Sequence, residues 1–207
     1  MIVFERLHNA LERISRYAVW LGGAALLVSA IIVTVDVLAR KFLSVTMSGS
    51  DEISGYVFAA ATTWAYSYCV IHRANVRIDA LYNLLPRLAR AWLDVLGLFL
   101  LFVYMCFLTP TAYEVLETSW LRNSVSVTTL LTPLWIPQAF WFAGLVLFNI
   151  TLFVVLLYAL VSLLIGDPGR VQAIAGTLSV QEEIQEETRG MDVARRSDND
   201  QSSGRSS

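Results

Sequence analysis

Charged residues are scarce in this 207-residue chain, at 15% of the sequence, whereas 56% of its residues are hydrophobic. Soluble domains use about 25% charged and about 45–50% apolar residues, so the composition excludes an ordinary soluble globular fold. The 15 basic residues are all arginine except Lys41. A chain this apolar is typical of a membrane protein.

Sequence patterns of catalysis are absent, including G-x-S-x-G, H-E-x-x-H, the Walker A loop and the dinucleotide fingerprint. The two histidines, His8 and His72, lie at different expected depths, whereas a haem or metal site in a bundle needs two inward-facing ligands at one depth. Cys69 and Cys106 lie inside apolar stretches, where a thiol acts as a small apolar filler. The sequence predicts neither an enzyme nor a bound cofactor or metal.

Four apolar stretches are long enough to cross a membrane, because about 20 apolar residues span a hydrocarbon core of roughly 30 Å. They cover residues 17–39, 53–71, 93–115 and 138–165. The first stretch exceeds the roughly 7–15 apolar residues of a signal peptide, which predicts a retained helix and not a cleaved leader. The expected fold is an all-α membrane protein with four transmembrane helices, its membrane domain covering residues 17–166.

Two further segments have apolar residues at spacings of three and four, which predicts amphipathic helices. Residues 1–16 form the first segment and residues 78–92 the second, with Pro86 expected to break or kink it. Both are expected to lie in the membrane interface. Residues 167–207 are acidic and rich in Ser, Asp and Gly, which predicts a largely disordered cytoplasmic tail.

The distribution of basic residues predicts the orientation, because cytoplasmic loops carry an excess of Lys and Arg. With both termini in the cytoplasm, the basic residues near the span ends on that side are Arg6, Arg13, Arg16, Arg73, Arg77, Arg87, Arg90 and Arg170. The opposite side then carries Arg40, Lys41 and Arg122. The bias favours cytoplasmic N- and C-termini.

Ionisable residues near span ends are the main candidates for function, since such groups at membrane depth are costly. Asp36 and Arg40 are four residues apart on one helix face, which favours a structural or subunit-contact pair over an ion-binding carboxylate. Asp51 and Glu52 open the second span behind Ser50, a candidate N-cap. Capping is the simpler interpretation of these carboxylates, and contact with a partner is the alternative.

Other polar residues in or beside the spans have simpler explanations. Asp94 opens the third span, where a carboxylate suits the helix dipole, and Trp64 is expected to be a packing group. Pro110 is the one helix breaker inside a predicted span. Transporters usually bind substrate at broken helices near the midplane, so transport by this chain alone is not indicated. A homo-oligomeric channel remains an alternative, with few polar residues to line it.

A resemblance to a known family rests on several short segments taken in order. Residues 49–56 with their acidic pair, then Trp64, residues 72–81 and Asp94, and then residues 126–144 resemble the small membrane subunit of tripartite ATP-independent periplasmic (TRAP) transporters. The resemblance covers roughly residues 10–165. The acidic tail is longer than the resemblance would lead us to expect.

The resemblance implies a bacterial inner-membrane complex for uptake of an organic acid, such as a C4-dicarboxylate. Its expected partners are a large permease, which would carry the substrate and sodium sites, a periplasmic solute-binding protein and membrane lipids; no nucleic acid is expected. This subunit would act as a stator and help to dock the binding protein. The expected partner or lipid contacts are Asp36, Arg40, Asp51, Glu52, Trp64, Arg73, Asn75, Arg77 and Asp79.

Overall fold

A computed structural model describes residues 2–46, 48–73, 85–128, 130–165 and 188. Its helices are α1 (Ile2–Leu43), α2 (Ser50–Ile71), α3 (Arg87–Leu121) and α4 (Trp135–Leu164). The described part of the chain has one isolated β-bridge, between Val125 and Pro133, beside these helices. The prediction of an all-α protein is confirmed.

Three helices, α1, α3 and α4, are long and apolar enough to cross a membrane. Helix α2 is long enough at about 33 Å, but Ser, Thr and Tyr make up eight of its 22 residues. Each predicted span lies within one observed helix, apart from Ile165, which follows the end of α4. The structure supports a membrane protein, and four crossings remain a prediction.

Helix α1 continues without interruption through the boundary that we expected near Arg16. Its 42 residues extend about 63 Å, roughly twice the thickness of a hydrocarbon core. Neither glycine nor proline interrupts its first 20 residues, and an ion pair of 2.5 Å joins Glu12 to Arg16 across the expected boundary. The first amphipathic segment is therefore helical and continuous with the first span, and its interfacial position stays a prediction.

The predicted interfacial helix of residues 78–92 is only partly within the described residues. Residues 78–84 lie outside them, and residues 87–92 form the first turns of α3. Pro86 precedes this helix in an extended conformation, with φ −64° and ψ 150°, as expected of a residue that starts a new helix. The predicted tail lies outside the described residues, apart from Thr188.

The helices pack in the order α1, α2, α4, α3. Helices α1 and α2 are antiparallel, since Gly22 lies against Ala61 and Asp36 bonds to Ser50. Helices α2 and α4 are parallel, since Trp64 bonds to Phe140 and Tyr66 packs against Phe148. Helix α3 returns antiparallel to α4, as three aromatic pairs show: Phe102 with Phe153, Tyr113 with Phe142, and Trp120 with Trp135. Helix α4 thus lies between α2 and α3.

Small residues allow α2 to approach both neighbours closely, which is how helices commonly associate in membranes. A Cβ atom on Gly22 would lie 3.2 Å from the Ala61 side chain. One on Gly144 would lie 2.5 Å from Thr63 Oγ1 and 2.8 Å from Trp64 Cδ1. Glycine at position 144 is therefore required for the observed contact between α2 and α4.

The apolar core lies mainly between α3 and α4. Leu152 and Ala159 of α4 and Ala91 of α3 are completely buried there. Half of the most apolar window of α4 is buried, compared with 11% of the corresponding window of α1. Helices α3 and α4 therefore supply nearly all of the buried apolar cluster of the described chain.

Candidate functional site

A buried carboxylate, Asp36, joins the end of α1 to the beginning of α2. Its side chain is 1% exposed. It accepts hydrogen bonds from Arg40 Nη2 at 2.6 Å, Ser50 Oγ at 2.9 Å and Thr46 Oγ1 at 3.5 Å. Buried carboxylates need such partners, because desolvating an unpaired charge is costly. We call these four residues the Asp36 cluster.

The spacing of Asp36 and Arg40 predicted their ion pair, which the structure confirms. The prediction that Ser50 caps α2 was wrong, because the residue before the helix is Gly49 and no side chain caps it. Ser50 is the first residue of the helix and donates to Asp36 instead. Gly49 has a φ of 104°, and a Cβ there would collide with Leu130, so the turn requires glycine.

The two carboxylates of the acidic pair point to different surroundings. Glu52 accepts a hydrogen bond from the Tyr56 hydroxyl at 2.5 Å and another from Thr128. Ser126 lies 3.0 Å from Thr128 and continues this group of polar side chains. Asp51 is exposed in the first turn of α2, where a carboxylate suits the helix dipole. Glu52 therefore connects α2 to the segment between α3 and α4, whereas Asp51 faces outward.

A polar cleft of about 570 Å³ opens beside the Asp36 cluster. Its lining residues are Arg40, Ser44, Thr46, Ser48, Gly49, Ser50 and Asp51. The Arg40 side chain keeps 56% of its surface exposed despite its ion pair with Asp36. The cleft therefore presents one cation, one carboxylate and several hydroxyl groups to whatever lies outside this end of the bundle.

The opposite end of α2 holds the other predicted contacts. Arg73 follows the helix with a φ of 54°, and its backbone N–H donates to the Val70 carbonyl at 3.2 Å. The His72 ring packs against Tyr68 with centroids 4.0 Å apart. The predicted contacts Asn75, Arg77 and Asp79 lie outside the described residues.

Asp94 does not open a helix, contrary to the prediction. Helix α3 begins at Arg87 and Asp94 is its eighth residue, with 1% of its surface exposed. The apolar stretch that defined the expected span begins later than the helix, because residues 87–92 carry two arginines. Asp94, which we expected at the beginning of a helix, is thus a buried residue two turns into α3.

Trp64 connects α2 to α4, as its expected packing role implies. Its indole N–H donates to the Phe140 carbonyl at 2.9 Å. It also lines an apolar groove of about 770 Å³ bounded by α1, α2 and the beginning of α4. Within the chain, Trp64 is therefore a helix-to-helix contact.

Sequence reasoning missed a polar contact between α3 and α4. The amide of Asn149 donates to Thr109 Oγ1 at 3.0 Å and to the Met105 carbonyl at 3.3 Å. Thr109, the residue before Pro110, in turn donates to the Met105 carbonyl at 2.8 Å. Asn149 is the one Asn, Gln or charged residue between 139 and 166, and that isolation was a usable signal.

Among the described residues, no three His, Cys, Asp or Glu side chains are grouped as metal ligands. Cys69 and Cys106 are free thiols in this part of the chain. Several polar groups at helix ends and between helices, among them Asp36, Glu52 and Asn149, donate or accept hydrogen bonds within the bundle. This arrangement holds helices together and offers a polar surface at one end.

Comparison with protein families gives one match. The model of the DctQ component of tripartite ATP-independent periplasmic transporters matches residues 29–164. That range covers α2, α3 and α4 and the second part of α1 with the Asp36 cluster. Searches of curated proteins and of solved structures found no significant match. Because the match covers well over half of its length, the chain belongs to the DctQ component family of TRAP transporters.

Proposed function

We propose that this chain is the non-catalytic small permease subunit of a sodium-coupled TRAP system that takes up an organic acid, such as a C4-dicarboxylate. In this proposal it is a stator for a large permease, which carries the substrate and sodium sites. The observation that carries the proposal is the unburied apolar surface of α1. Only 11% of the most apolar window of that helix is buried within the chain.

The exposed face of α1 suits a second membrane protein. Trp20, Leu27 and Ile31 are 76%, 69% and 64% exposed. Within the chain, α1 packs mainly against α2, with only a small contact to α4. Helices in membranes associate through van der Waals packing along such faces. We place the large permease against this face.

Four crossings follow from the packing of α2, in our proposal. Helix α2 lies between two candidate spans, α1 and α4, antiparallel to one and parallel to the other. Its length of about 33 Å matches a hydrocarbon core. Together with the arginine distribution, this arrangement supports a bacterial inner-membrane protein with both termini in the cytoplasm.

The predicted contact residues divide into two roles in this proposal. Asp36 and Glu52 hold the chain together, because their carboxylates accept hydrogen bonds from within it. Arg40 and Asp51 face the polar cleft and are available to the large permease or the periplasmic binding protein. At the other end, the proposed contacts with lipid headgroups or the large permease are Arg73, Asn75, Arg77 and Asp79.

The test is recovery of the complex from native membranes with this chain tagged at its N-terminus. A photoreactive amino acid replaces Leu27 on α1 in one variant and Phe107, 75% exposed on α3, in the matched control. We expect one large permease to co-purify in equal amount, and to crosslink to position 27 more strongly than to position 107.

Recovery of the chain alone or as a homo-oligomer, in detergents that preserve other membrane complexes, would contradict the proposal. It would favour the alternative of a small four-helix channel. The polar residues of α2 offer such a channel little surface, because Thr63 is 4% exposed and Ser67 is completely buried. Thr62 bonds to the backbone of its own helix.

A further inference from the structure

The segment between α3 and α4, residues 122–134, has an unusual composition for a loop outside a membrane. Arg122 is its one charged residue, and no further charge occurs until Asp167. Aliphatic side chains alternate with Ser and Thr through most of the segment. We call it the α3–α4 connection.

The described backbone of this connection satisfies many of its own polar groups. Ser126 N–H donates to the Thr132 carbonyl at 2.9 Å, and Leu134 N–H donates to Ser124 at 3.0 Å. The N–H groups of Ser124, Thr128 and Leu131 also have acceptors in or next to the connection. Pairing of this kind lowers the cost of placing irregular backbone in a poorly hydrated environment.

The outward surface of the connection includes an apolar patch around Val127. Val127 is fully exposed, and Val125 and Leu131 are 49% and 62% exposed. Trp120 and Trp135 flank the connection and pack edge to face, with ring centroids 4.7 Å apart. Tryptophan at the point where one candidate span ends and the next begins is typical of the headgroup region of a bilayer.

The connection folds back against the bundle. Thr128 bonds to Glu52 in the first turn of α2, and Leu130 lies over Gly49 at the start of that helix. These contacts place the connection at the depth where α2 begins, and not beyond it. At that depth the connection adjoins the lipid-facing surfaces of α3 and α4.

We propose that the α3–α4 connection is a membrane anchor, which lies in the headgroup region and inserts Val127 and its apolar neighbours among the lipids. A soluble protein partner would find a single charge, that of Arg122, on this surface and little charge complementarity to recognise. Lipid requires no complementary charge, because it contacts the apolar side chains and accommodates the tryptophans in its headgroup region.

The test uses the full chain in lipid vesicles, with Cys69→Ala and Cys106→Ala to remove the native thiols. Val127→Cys carries an environment-sensitive fluorophore, and Ser48→Cys, an exposed position in the polar cleft at the same end of the bundle, is the matched control. We expect blue-shifted emission at position 127, strong quenching by lipids spin-labelled near the headgroup, and little quenching by aqueous iodide. Position 48 should show the weaker lipid and stronger iodide response.

The same measurement is then made in native membranes, where any transporter partners are present. Lipid quenching in both preparations supports the anchor. Iodide quenching at position 127 as strong as at position 48 in the vesicles would overturn it. Protection from both quenchers in native membranes would also overturn it, because a protein and not lipid would then cover Val127. Val127 makes few contacts, so its substitution leaves the fold intact.

Discussion

Helices α1 and α4 each contain a strongly apolar window, but the two windows are used differently. Half of the most apolar window of α4 is buried within the chain, against 11% of that of α1. The fully or nearly buried residues of α1 include Ser15, Ser29 and Asp36, whereas those of α4 include Leu145 and Leu152. Helix α1 is therefore attached by close approach and hydrogen bonds, and α4 by apolar packing.

The difference teaches that apolar length alone does not indicate what a membrane helix contacts. Helix α4 contacts both α2 and α3 and completes the core of the chain. Helix α1 keeps a broad face for lipid or another protein. Substitutions matched between the two helices should therefore separate the stability of this chain from the assembly of its complex.

The largest effect is expected for Leu152→Ala in α4. Leu152 has no exposed surface, and truncating a buried leucine costs about 2–5 kcal/mol through lost contacts and the cavity left behind. Leu27→Ala on α1 is the control, because Leu27 is 69% exposed. The free energy of unfolding in detergent micelles measures both.

For Leu27→Ala we expect little change in stability and a weaker recovery of the large permease. The comparison between the helices would be broken if Leu27→Ala destabilised the isolated chain as much as Leu152→Ala does. Such a result would mean that α1 is packed within the chain more extensively than its exposed surface indicates.

The next effect concerns the contact between α2 and α4. Gly144→Ala places a methyl group 2.5 Å from Thr63 Oγ1, and overpacking of this kind costs about 1–3 kcal/mol. Gly23→Ala in α1 is the control, because no atom lies within 4 Å of its added Cβ. That control should be neutral or slightly stabilising, and equal destabilisation of both variants would contradict the close contact at Gly144.

The sequence predicted the helices better than their ends. Apolar stretches located the four helices that the structure describes, because desolvation dominates the choice of buried segments. Two of these helices begin well before their predicted spans, α1 at Ile2 and α3 at Arg87, since a helix can continue past the hydrocarbon wherever no glycine or proline stops it. Length and hydropathy contain no signal for that continuation.

The candidate site was predictable only where its contacts are local in sequence. The pair of Asp36 and Arg40 follows from helical spacing and was confirmed. Ser50 was assigned to a cap because its local sequence favours one, yet its partner is fourteen residues away. The bond between Thr128 and Glu52 spans 76 residues, and only the packing of the bundle brings these two together.

Substitution in the Asp36 cluster tests whether hydrogen bonds, and not buried apolar area, attach α1 to α2. Asp36→Asn removes the charge that faces Arg40 and leaves an amide that cannot accept all three donors. Loss of buried hydrogen bonds to a charged group costs about 1–3 kcal/mol. Asp51→Asn, at an exposed neighbour, should change stability by less than about 0.5 kcal/mol. Thermal unfolding of the two variants in one detergent distinguishes them, and equal midpoints would argue against the role of Asp36.

The smallest effect is expected for Asn149, the polar contact within the otherwise apolar pair of α3 and α4. Asn149→Leu removes its bonds to Thr109 and Met105, and hydrogen bonds between membrane helices contribute about 0.6 kcal/mol on average. A cycle with Thr109→Val isolates the coupling between the two side chains. Thr111→Val is the control, since Thr111 bonds only to the Phe107 carbonyl of its own helix among the described contacts. Coupling near zero would mean that packing alone holds α3 to α4, and would make the contrast with α1 sharper still.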